Sequence, residues 1–336
     1  MRIGYDTTPA SVSTAGVVRY INDLGLALDQ LPDIDIVRFS APIEAAGGRL
    51  QKAFGHASRR LVYYPWLLKR QAGRSDVSLI HCPAPHLPQG LDVPLVMTIH
   101  DMLPWRYPEY FSRRAVLRHK VVARQGAQRS ERIIVGSEYT AEEVVDLLGI
   151  PRDKISVTRL GLDLRFQPVE STPMWLARRF GIPGRFVLAT GTQEPHKGLV
   201  GLIRAFERFQ LEHPEYTLVV VGSRPAPGSA IEQALNRSTA RIVRAGFVSD
   251  EELVRLYGSA ACFAFPSLYE GFGFPPIEAM ACGCPVITSD RASLPETVGD
   301  AALRVDPTDP DLLSEALERV LLSPHVATDL RDRGLV

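Results

Sequence analysis

Pro266-Ser267-Leu268-Tyr269-Glu270-Gly271-Phe272-Gly273-Phe274-Pro275-Pro276-Ile277-Glu278 is the stretch that decides the fold of this chain. The apolar run Ala261–Pro266 reads as a strand, and a helix opens beyond it around Glu278. Pro275 suits a first helical position, where a missing N–H costs no hydrogen bond. Glycines let a backbone come close to a ligand. The amides of Gly271, Phe272, Gly273 and Phe274 then become donors near the positive end of a helix. Pro275 and Pro276 have no N–H, so these donors lie in the loop ahead of the helix rather than in its first turn. Glu270 and Glu278 bracket the turn. On one continuous helix they would stand about 12 Å and roughly 80° apart. Because Glu270 precedes the helix, the chain can fold back and aim both carboxylates into one pocket, as acceptors for the vicinal hydroxyls of a sugar or a ribose. Either acid alone reads equally well as a first-turn acid or a surface cap. A dinucleotide fingerprint competes, since Gly271-x-Gly273 is followed by Asp290, but Pro276 stands where the third glycine is needed.

Working outward, short β-branched runs alternate with amphipathic stretches from end to end, the pattern of parallel sheets with crossover helices. In the first half, strands are expected near Arg2–Asp6, Ile34–Ser40, Ser78–Cys82, Pro94–His100, Arg132–Val135 and Ile155–Thr158. Helices are expected near Gly16–Gln30, Ser112–Ser130 and Ala141–Leu148. Val18, Ile21, Leu24 and Leu28 form the core-facing stripe of the first helix. Alternation lapses between Leu162 and Gly184, among Asp163, Pro168, Pro173 and Pro183, with room for a short helix around Trp175–Phe180. It restarts with strands Phe186–Thr190, Thr217–Val221, Arg241–Val243, Ala261–Pro266, Val286–Ser289 and Ala302–Val305. The helices between and after them are Gly198–Leu211, Ala230–Asn236, Asp250–Tyr257, the Glu278 helix and Pro310–Leu322. A length of 336 residues fits two such domains, 1–168 and 169–336. Sheets of this kind bind ligands at the carboxyl ends of their strands.

A second strand-to-helix turn, Gly191-Thr192-Gln193-Glu194-Pro195-His196-Lys197-Gly198, puts the Lys197 ammonium at a helix start, where it can meet a diphosphate. It is not a P-loop, because His196 and Gly198 replace the residues that motif needs. In the first half, the turn around Gly16 and Arg19 offers amides to a phosphate or an acceptor, and His100-Asp101 ends an apolar strand at the cleft rim. Asp33-x-Asp35 and Asp309-x-Asp311 have the letters of a metal-binding D-x-D but precede elements rather than follow strands, so they read as turns. No metal or other cofactor is expected. Lys+Arg and Asp+Glu both number 38, which argues against bulk attraction to nucleic acid. Cys82, Cys262, Cys282 and Cys284 read as small buried thiols. With no signal-peptide pattern and no membrane-length apolar run, the expected location is the cytoplasm.

With these residues in hand, the chain resembles the retaining GT-B glycosyltransferases of glycosyltransferase family 4, and within them the bacterial mannosyltransferase-like branch that builds surface polysaccharides. The resemblance runs through the Gly16 loop, Val96–Asp101, Ile134–Ser137, Gly161–Asp163, Ala189–Lys197, Gly246–Leu253 and the E-x7-E of Glu270 to Glu278. It implies two doubly wound Rossmann-like α/β domains facing a central cleft, an acceptor-side domain first and a nucleotide-sugar domain second. It implies transfer of a hexose, mannose being the branch's sugar, from a GDP-, UDP- or ADP-linked donor to a glycan or lipid-linked acceptor, with retention and without a divalent metal. Contact with the inner face of the membrane fits such acceptors. Glu270 is implied to face the donor sugar, Glu278 to hold the ribose, and the amides of Gly271 to Phe274 to contact sugar or phosphate. Lys197 would neutralise the leaving diphosphate, the Phe247-Val248 backbone would meet the base, and His100 would sit at the reacting centre. Gly16, Gly191 and Thr192 complete the implied donor set. Thr192 and His196 stand where relatives often carry arginine, which leaves open a non-catalytic sugar-nucleotide-binding protein, or an epimerase of the same fold. Family members usually continue with a helix crossing back to the first domain, so the chain as given is expected to stop short of it.

Overall fold

The computed structural model describes residues 1–11, 15–41, 66–86, 88–169, 173–191 and 194–335. Two compact units emerge, Met1–Arg159 and Leu160–Val336. The composition shift points to a boundary after residue 168. The structure instead gathers Leu160–Val169 with the second unit, because Phe166 is buried in that unit's core with its ring centroid 6.3 Å from that of Tyr257.

In the first unit, β1 (Arg2–Asp6), β2 (Asp35–Phe39), β3 (Leu79–Cys82), β4 (Leu95–Ile99), β5 (Arg132–Val135) and β6 (Ile155–Val157) form one sheet in the order β2-β1-β3-β4-β5-β6. Every pairing is parallel, as β-rich runs separated by helices require. The first helix spans Ala15–Asp29. Of its predicted stripe only Ile21 is fully buried; its carbonyl accepts from the Tyr5 hydroxyl at 2.8 Å. Helices Arg113–Arg129 and Glu138–Leu148 follow, each started by a serine side chain, Ser112 and Ser137, that accepts a first-turn amide. Leu68–Ser75 and Leu103–Arg106 are helical without having been expected. The first of these reads Leu-Lys-Arg-Gln-Ala-Gly-Arg-Ser, too polar for the periodic signal to register.

In the second unit, β7 (Phe186–Thr190), β8 (Thr217–Val221), β9 (Ile242–Gly246), β10 (Cys262–Phe265), β11 (Val286–Ser289) and β12 (Ala302–Val305) make a parallel sheet ordered β12-β11-β10-β7-β8-β9. Its two faces carry separate cores. Phe186 and Leu188 fall in one, Val187 and Ala189 in the other, as side-chain alternation along a strand demands. The short linker helix is present as Pro173–Phe180, while Leu294–Val298 and Pro324–Gly334 add two helices that sequence periodicity does not announce. The four cysteines are free and buried. The Asp309 carboxylate accepts from the amides of Asp311 and Leu312 and so caps the helix Pro310–Leu321. Among the described residues, no helix is long and apolar enough to cross a membrane.

In each sheet the chain reverses its direction of travel once. After β9 it returns to lay β10 on the other side of β7, so the loops leaving β7 and β10 run apart and open a crevice at the carboxyl ends of these two strands. The equivalent point in the first unit lies between β1 and β3.

Candidate functional site

Both sequence motifs of the second half emerge at that crevice. The loop after β7 carries Gly191 and Lys197, and the loop after β10 carries Glu270 to Gly273. A small cavity, open to solvent, lies there, with Thr190, Gly191, Lys197, Phe265 and Pro266 on its wall. Lys197 ends a single 3-10 turn, Pro195–Lys197, ahead of the helix Leu199–Glu212. Its Nζ lies 2.7 Å from Glu270 Oε1, with the two side chains only 19% and 14% exposed. The same ammonium sits 5.6 Å above the Phe265 ring, a second favourable placement for a cation. The lysine and the first acid therefore share one partly desolvated spot at the switch point.

The two loops are clipped to each other. The His196 carbonyl accepts from Leu268 N at 2.6 Å and from Ser267 Oγ at 3.1 Å. Gly198 adopts φ +70°, and a Cβ there would stand 1.9 Å from the Pro266 carbonyl oxygen. Only glycine meets both demands, since the left-handed conformation and the close approach each exclude a side chain. His196 itself is buried. Its place in the motif is therefore inside the clip, not on the cavity wall as a spare cation.

Residues that sequence reading did not single out shape the second loop. Ser293 occupies the N-cap position of the helix Leu294–Val298, yet its side chain makes no cap bond. Its hydroxyl lies 2.8 Å from the Glu270 carbonyl and 3.0 Å from the Phe272 carbonyl, while Thr297 Oγ1 donates to the same Phe272 carbonyl at 2.5 Å. In a trans peptide the N–H points opposite to the C=O. With the carbonyls of residues 270 and 272 turned toward Ser293 and Thr297, the amides of Gly271 and Gly273 are turned away from that helix. Gly273, at φ +107°, closes the loop against Leu294 and serves as N-cap of the helix Phe274–Ala281. That helix begins at Phe274, one residue before the expected first proline. The Phe272 and Phe274 rings meet edge to face, with centroids 5.4 Å apart.

Glu278 lies deeper. It is buried, and Tyr257 donates its hydroxyl to Glu278 Oε2 at 3.3 Å, the same hydroxyl lying 3.3 Å from Thr190 Oγ1. The second acid thus connects to Thr190 on the cavity wall through the Tyr257 hydroxyl. Burial pushes the Tyr257 phenol well above its ordinary pKa, with the neighbouring Glu278 adding to the effect, so this hydroxyl stays a proton donor. At the carboxyl end of β9, the Phe247 ring is 82% exposed while Val248 packs on the core. Thr192 falls outside the described residues.

In the first unit, His100 ends β4 with Nε2 2.8 Å from the Pro83 carbonyl and its ring edge-on to Tyr20 at 4.8 Å. A carbonyl can only accept, so Nε2 carries the proton and Nδ1 is left as an acceptor. Burial lowers the His100 pKa, partly offset by the Pro83 carbonyl and by Asp101, which keeps the ring neutral. Behind it, Thr98 Oγ1 joins Tyr20 at 3.1 Å to His81 Nε2 at 2.9 Å. Gly16 is exposed in the first turn of its helix, and Arg19 pairs with Asp23 at 3.4 Å.

Doubly wound parallel units, with a lysine–carboxylate pair at the switch point of the second, place this chain in the GT-B class. Residues 180–335 match the family described as glycosyl transferases group 1, and residues 14–166 match Glycosyltransferase Family 4. The chain is 34% identical over 242 residues to O-antigen chain mannosyltransferase B of Escherichia coli, covering 70% of this chain and 63% of that protein. It is 25% identical over 338 residues to the serotype-specific mannosyltransferase WbdA of Escherichia coli, covering 94% of this chain and 41% of that protein. It thus spans less than two thirds of either relative. Its fold is similar to sucrose-phosphate synthase from Thermosynechococcus elongatus, with a TM-score of 0.80 at 22% identity over 100% of this chain and 93% of the other. The chain belongs to glycosyltransferase family 4.

Proposed function

We propose that this chain transfers a hexose, mannose in the first instance, from a nucleoside-diphosphate sugar to a glycan or lipid-linked acceptor with retention of configuration, working at the cytoplasmic face of a membrane. The observation that carries the reading is the Lys197–Glu270 pair at 2.7 Å, with Lys197 on the wall of the switch-point cavity. Negative charge grows on the diphosphate as the anomeric C–O bond breaks. An ammonium and backbone amides already fixed in a poorly hydrated site stabilise that charge without reorganising. In this reading Lys197 moves from Glu270 to the diphosphate, the Gly271 to Phe274 amides hold phosphate or sugar oxygens, and Glu270 turns to the sugar hydroxyls. Glu278, steadied by Tyr257, takes the ribose. The Phe247-Val248 backbone meets the base, and Gly191, Thr192 and the Gly16 turn complete the donor set. His100, as a neutral acceptor at Nδ1, serves the transferred sugar.

With donor bound, Glu270 in this reading is occupied as an acceptor for the sugar hydroxyls, so we assign it no covalent step. The acceptor oxygen forms the new bond on the face the diphosphate leaves, and its proton passes to the departing phosphate oxygen. Lys197 supplies the counter-charge, so no divalent ion is required. The names of the mannosyltransferase relatives support mannose as the sugar.

The test is transfer from a panel of GDP-, UDP- and ADP-sugars, with and without chelator, for the parent chain, Glu270→Ala, Lys197→Ala and His100→Ala. Transfer from a GDP-hexose that survives chelation and is lost in the first two variants is the expected result. Activity indifferent to both substitutions overturns the site.

A further inference from the structure

We propose that Tyr20 is a positioning residue for the transfer: anchored by Thr98, its ring sets the rotation of the His100 imidazole and so the direction in which Nδ1 offers its lone pair. The inference deepens the proposed function and rests on His100 serving the transferred sugar.

The need for such a residue follows from the shape of imidazole. The Pro83 carbonyl holds His100 Nε2 at 2.8 Å. Nε2 lies close to the Cβ–Cγ axis about which the ring turns, whereas Nδ1 stands well off it. A modest turn on that axis disturbs the Pro83 bond little while it swings Nδ1 aside. The bond therefore fixes the tautomer and leaves the rotation open, and this torsion is intrinsically broad in histidine. Tyr20 supplies the missing constraint. Its ring meets the His100 ring with centroids 4.8 Å apart and planes at 82°, the edge-to-face arrangement that aromatic quadrupoles favour.

Tyr20 is itself held from the sheet. Thr98 lies two residues before His100, and its Oγ1 is 3.1 Å from the Tyr20 hydroxyl. The same oxygen meets His81 Nε2 at 2.9 Å. A hydroxyl has one proton to give and two lone pairs, so Thr98 can serve both neighbours. In the parallel register His81 stands opposite Val96, and Tyr5 opposite His81, so alternation puts Tyr5, His81 and Thr98 on one face of the sheet. The first helix is pinned to that face twice over, at Tyr20 through Thr98 and at Ile21, whose carbonyl accepts from Tyr5 at 2.8 Å. Along the same strands the other face is apolar: Ile80, Cys82, Met97 and Ile99 all fall in hydrophobic cores. Tyr5, His81 and Thr98 are equally buried, and buried polar groups rigidify the one arrangement that satisfies them. The polar row is thus laid where it holds the ring that holds His100.

The experiment is a mutant cycle on the full chain: Tyr20→Leu, Tyr20→Phe, His100→Ala and Tyr20→Leu/His100→Ala. Each is assayed for sugar transfer from the donor that supports it, GDP-mannose in the first instance, and for affinity for the free diphosphate, GDP, which carries no sugar. Tyr20→Leu should lower kcat/KM roughly tenfold, the effect of one hydrogen bond to the sugar, and leave GDP affinity at the parent value. In the His100→Ala background the same substitution should have no further effect. A crystal structure of Tyr20→Leu should show Nε2 still at the Pro83 carbonyl and the imidazole turned. Tyr20→Phe keeps the ring and its volume and gives up only the Thr98 contact. Its loss should be roughly two- to threefold and should likewise vanish on His100→Ala, which keeps the cycle decisive if Tyr20→Leu does not fold. A His100→Ala variant with unchanged transfer would overturn the reading of His100 and this proposal with it. A Tyr20 loss that recurs in full on top of His100→Ala, a parallel loss of GDP affinity, or an unturned imidazole in the variant crystal would overturn the proposal alone.

Discussion

Glu270→Gln tests the candidate site by separating two roles that a simple loss-of-function variant confounds. In the unliganded site the Glu270 carboxylate occupies the Lys197 ammonium at 2.7 Å, with side chains 19% and 14% exposed. Fully exposed pairs contribute about 0.2–1 kcal/mol and well-formed hydrogen bonds to charged groups about 1.5–3 kcal/mol. This half-buried pair falls between, at about 1–2 kcal/mol. A diphosphate that takes over Lys197 has to displace the carboxylate and then tolerate its charge nearby. Glutamine keeps the shape and removes both costs, so a free nucleoside diphosphate should bind roughly 5- to 30-fold tighter. Transfer should move the other way. A charged acceptor for the sugar hydroxyls is lost, at about 1.5–3 kcal/mol, which lowers kcat/KM by about ten- to a hundredfold. Titration calorimetry with GDP, UDP and ADP reads the first effect, and initial rates with the corresponding sugars read the second. Diphosphate affinity that falls in parallel with transfer would show that Glu270 holds the loop together rather than competing for the lysine, and the reasoning would be refuted.

Three further outcomes follow from the same geometry. Thr297→Val removes the 2.5 Å hydroxyl contact to the Phe272 carbonyl; it should raise donor KM about tenfold, with acceptor KM unchanged and Thr297→Ser restoring the parent value, whereas equal behaviour of Val and Ser would remove the positioning role. Gly198→Ala forces a Cβ against the Pro266 carbonyl at φ +70° and should destabilise the second unit by about 2–4 kcal/mol; an unchanged melting transition would show that the clip is soft. Burial drives the His81 pKa down to about 4 from an ordinary 6.5, with His100 adding to the effect. The unfolded chain therefore takes up a proton that the folded one refuses, so this contribution is neutral above pH 6.5 and destabilises as pH falls toward 4, by on the order of 3 kcal/mol. Melting temperatures measured across that window should fall less steeply in His81→Asn, and identical slopes would contradict the assignment.

The strands were legible almost to the residue because parallel strands buried on both faces are written as unbroken apolar runs, as Phe186–Thr190 and Thr217–Val221 show. The two site motifs were legible because glycine, proline and charge cluster where a strand gives way to a helix. What the linear sequence hid are the partners that lie far along the chain. Ser293 looks like an ordinary N-cap serine, and nothing local says that its hydroxyl instead meets the carbonyls of residues 270 and 272. Tyr257 reads as a helix core residue, which it is, yet its hydroxyl also joins Glu278 to Thr190. The expectation that the chain can aim both acids into one pocket came from the freedom of the chain before the helix. Packing spends that freedom differently, leaving Glu270 at the lysine and Glu278 beneath. Polar helices such as Leu68–Ser75 escaped because tertiary contacts, not periodicity, hold them.

The position of the Lys197 ammonium at the crevice is fixed by backbone contacts more than by its own side chain. Lys197 lies between two constraints, the His196 carbonyl held by Leu268 and Ser267 and the Gly198 backbone pressed on Pro266. Glu270 is held from the other side through its own carbonyl by Ser293. Coulomb energy varies as the inverse of distance and rises as water is excluded, so a loop free to drift by an ångström or two would lose much of the pair's strength to solvent. The glycines and hydroxyls around the two motifs therefore act on the charge pair indirectly, by holding its anchoring backbone still. A substitution at Gly198 or Ser293 should consequently weaken diphosphate binding even though the lysine and the carboxylate are both intact, whereas a surface substitution of equal size elsewhere on the second unit should not.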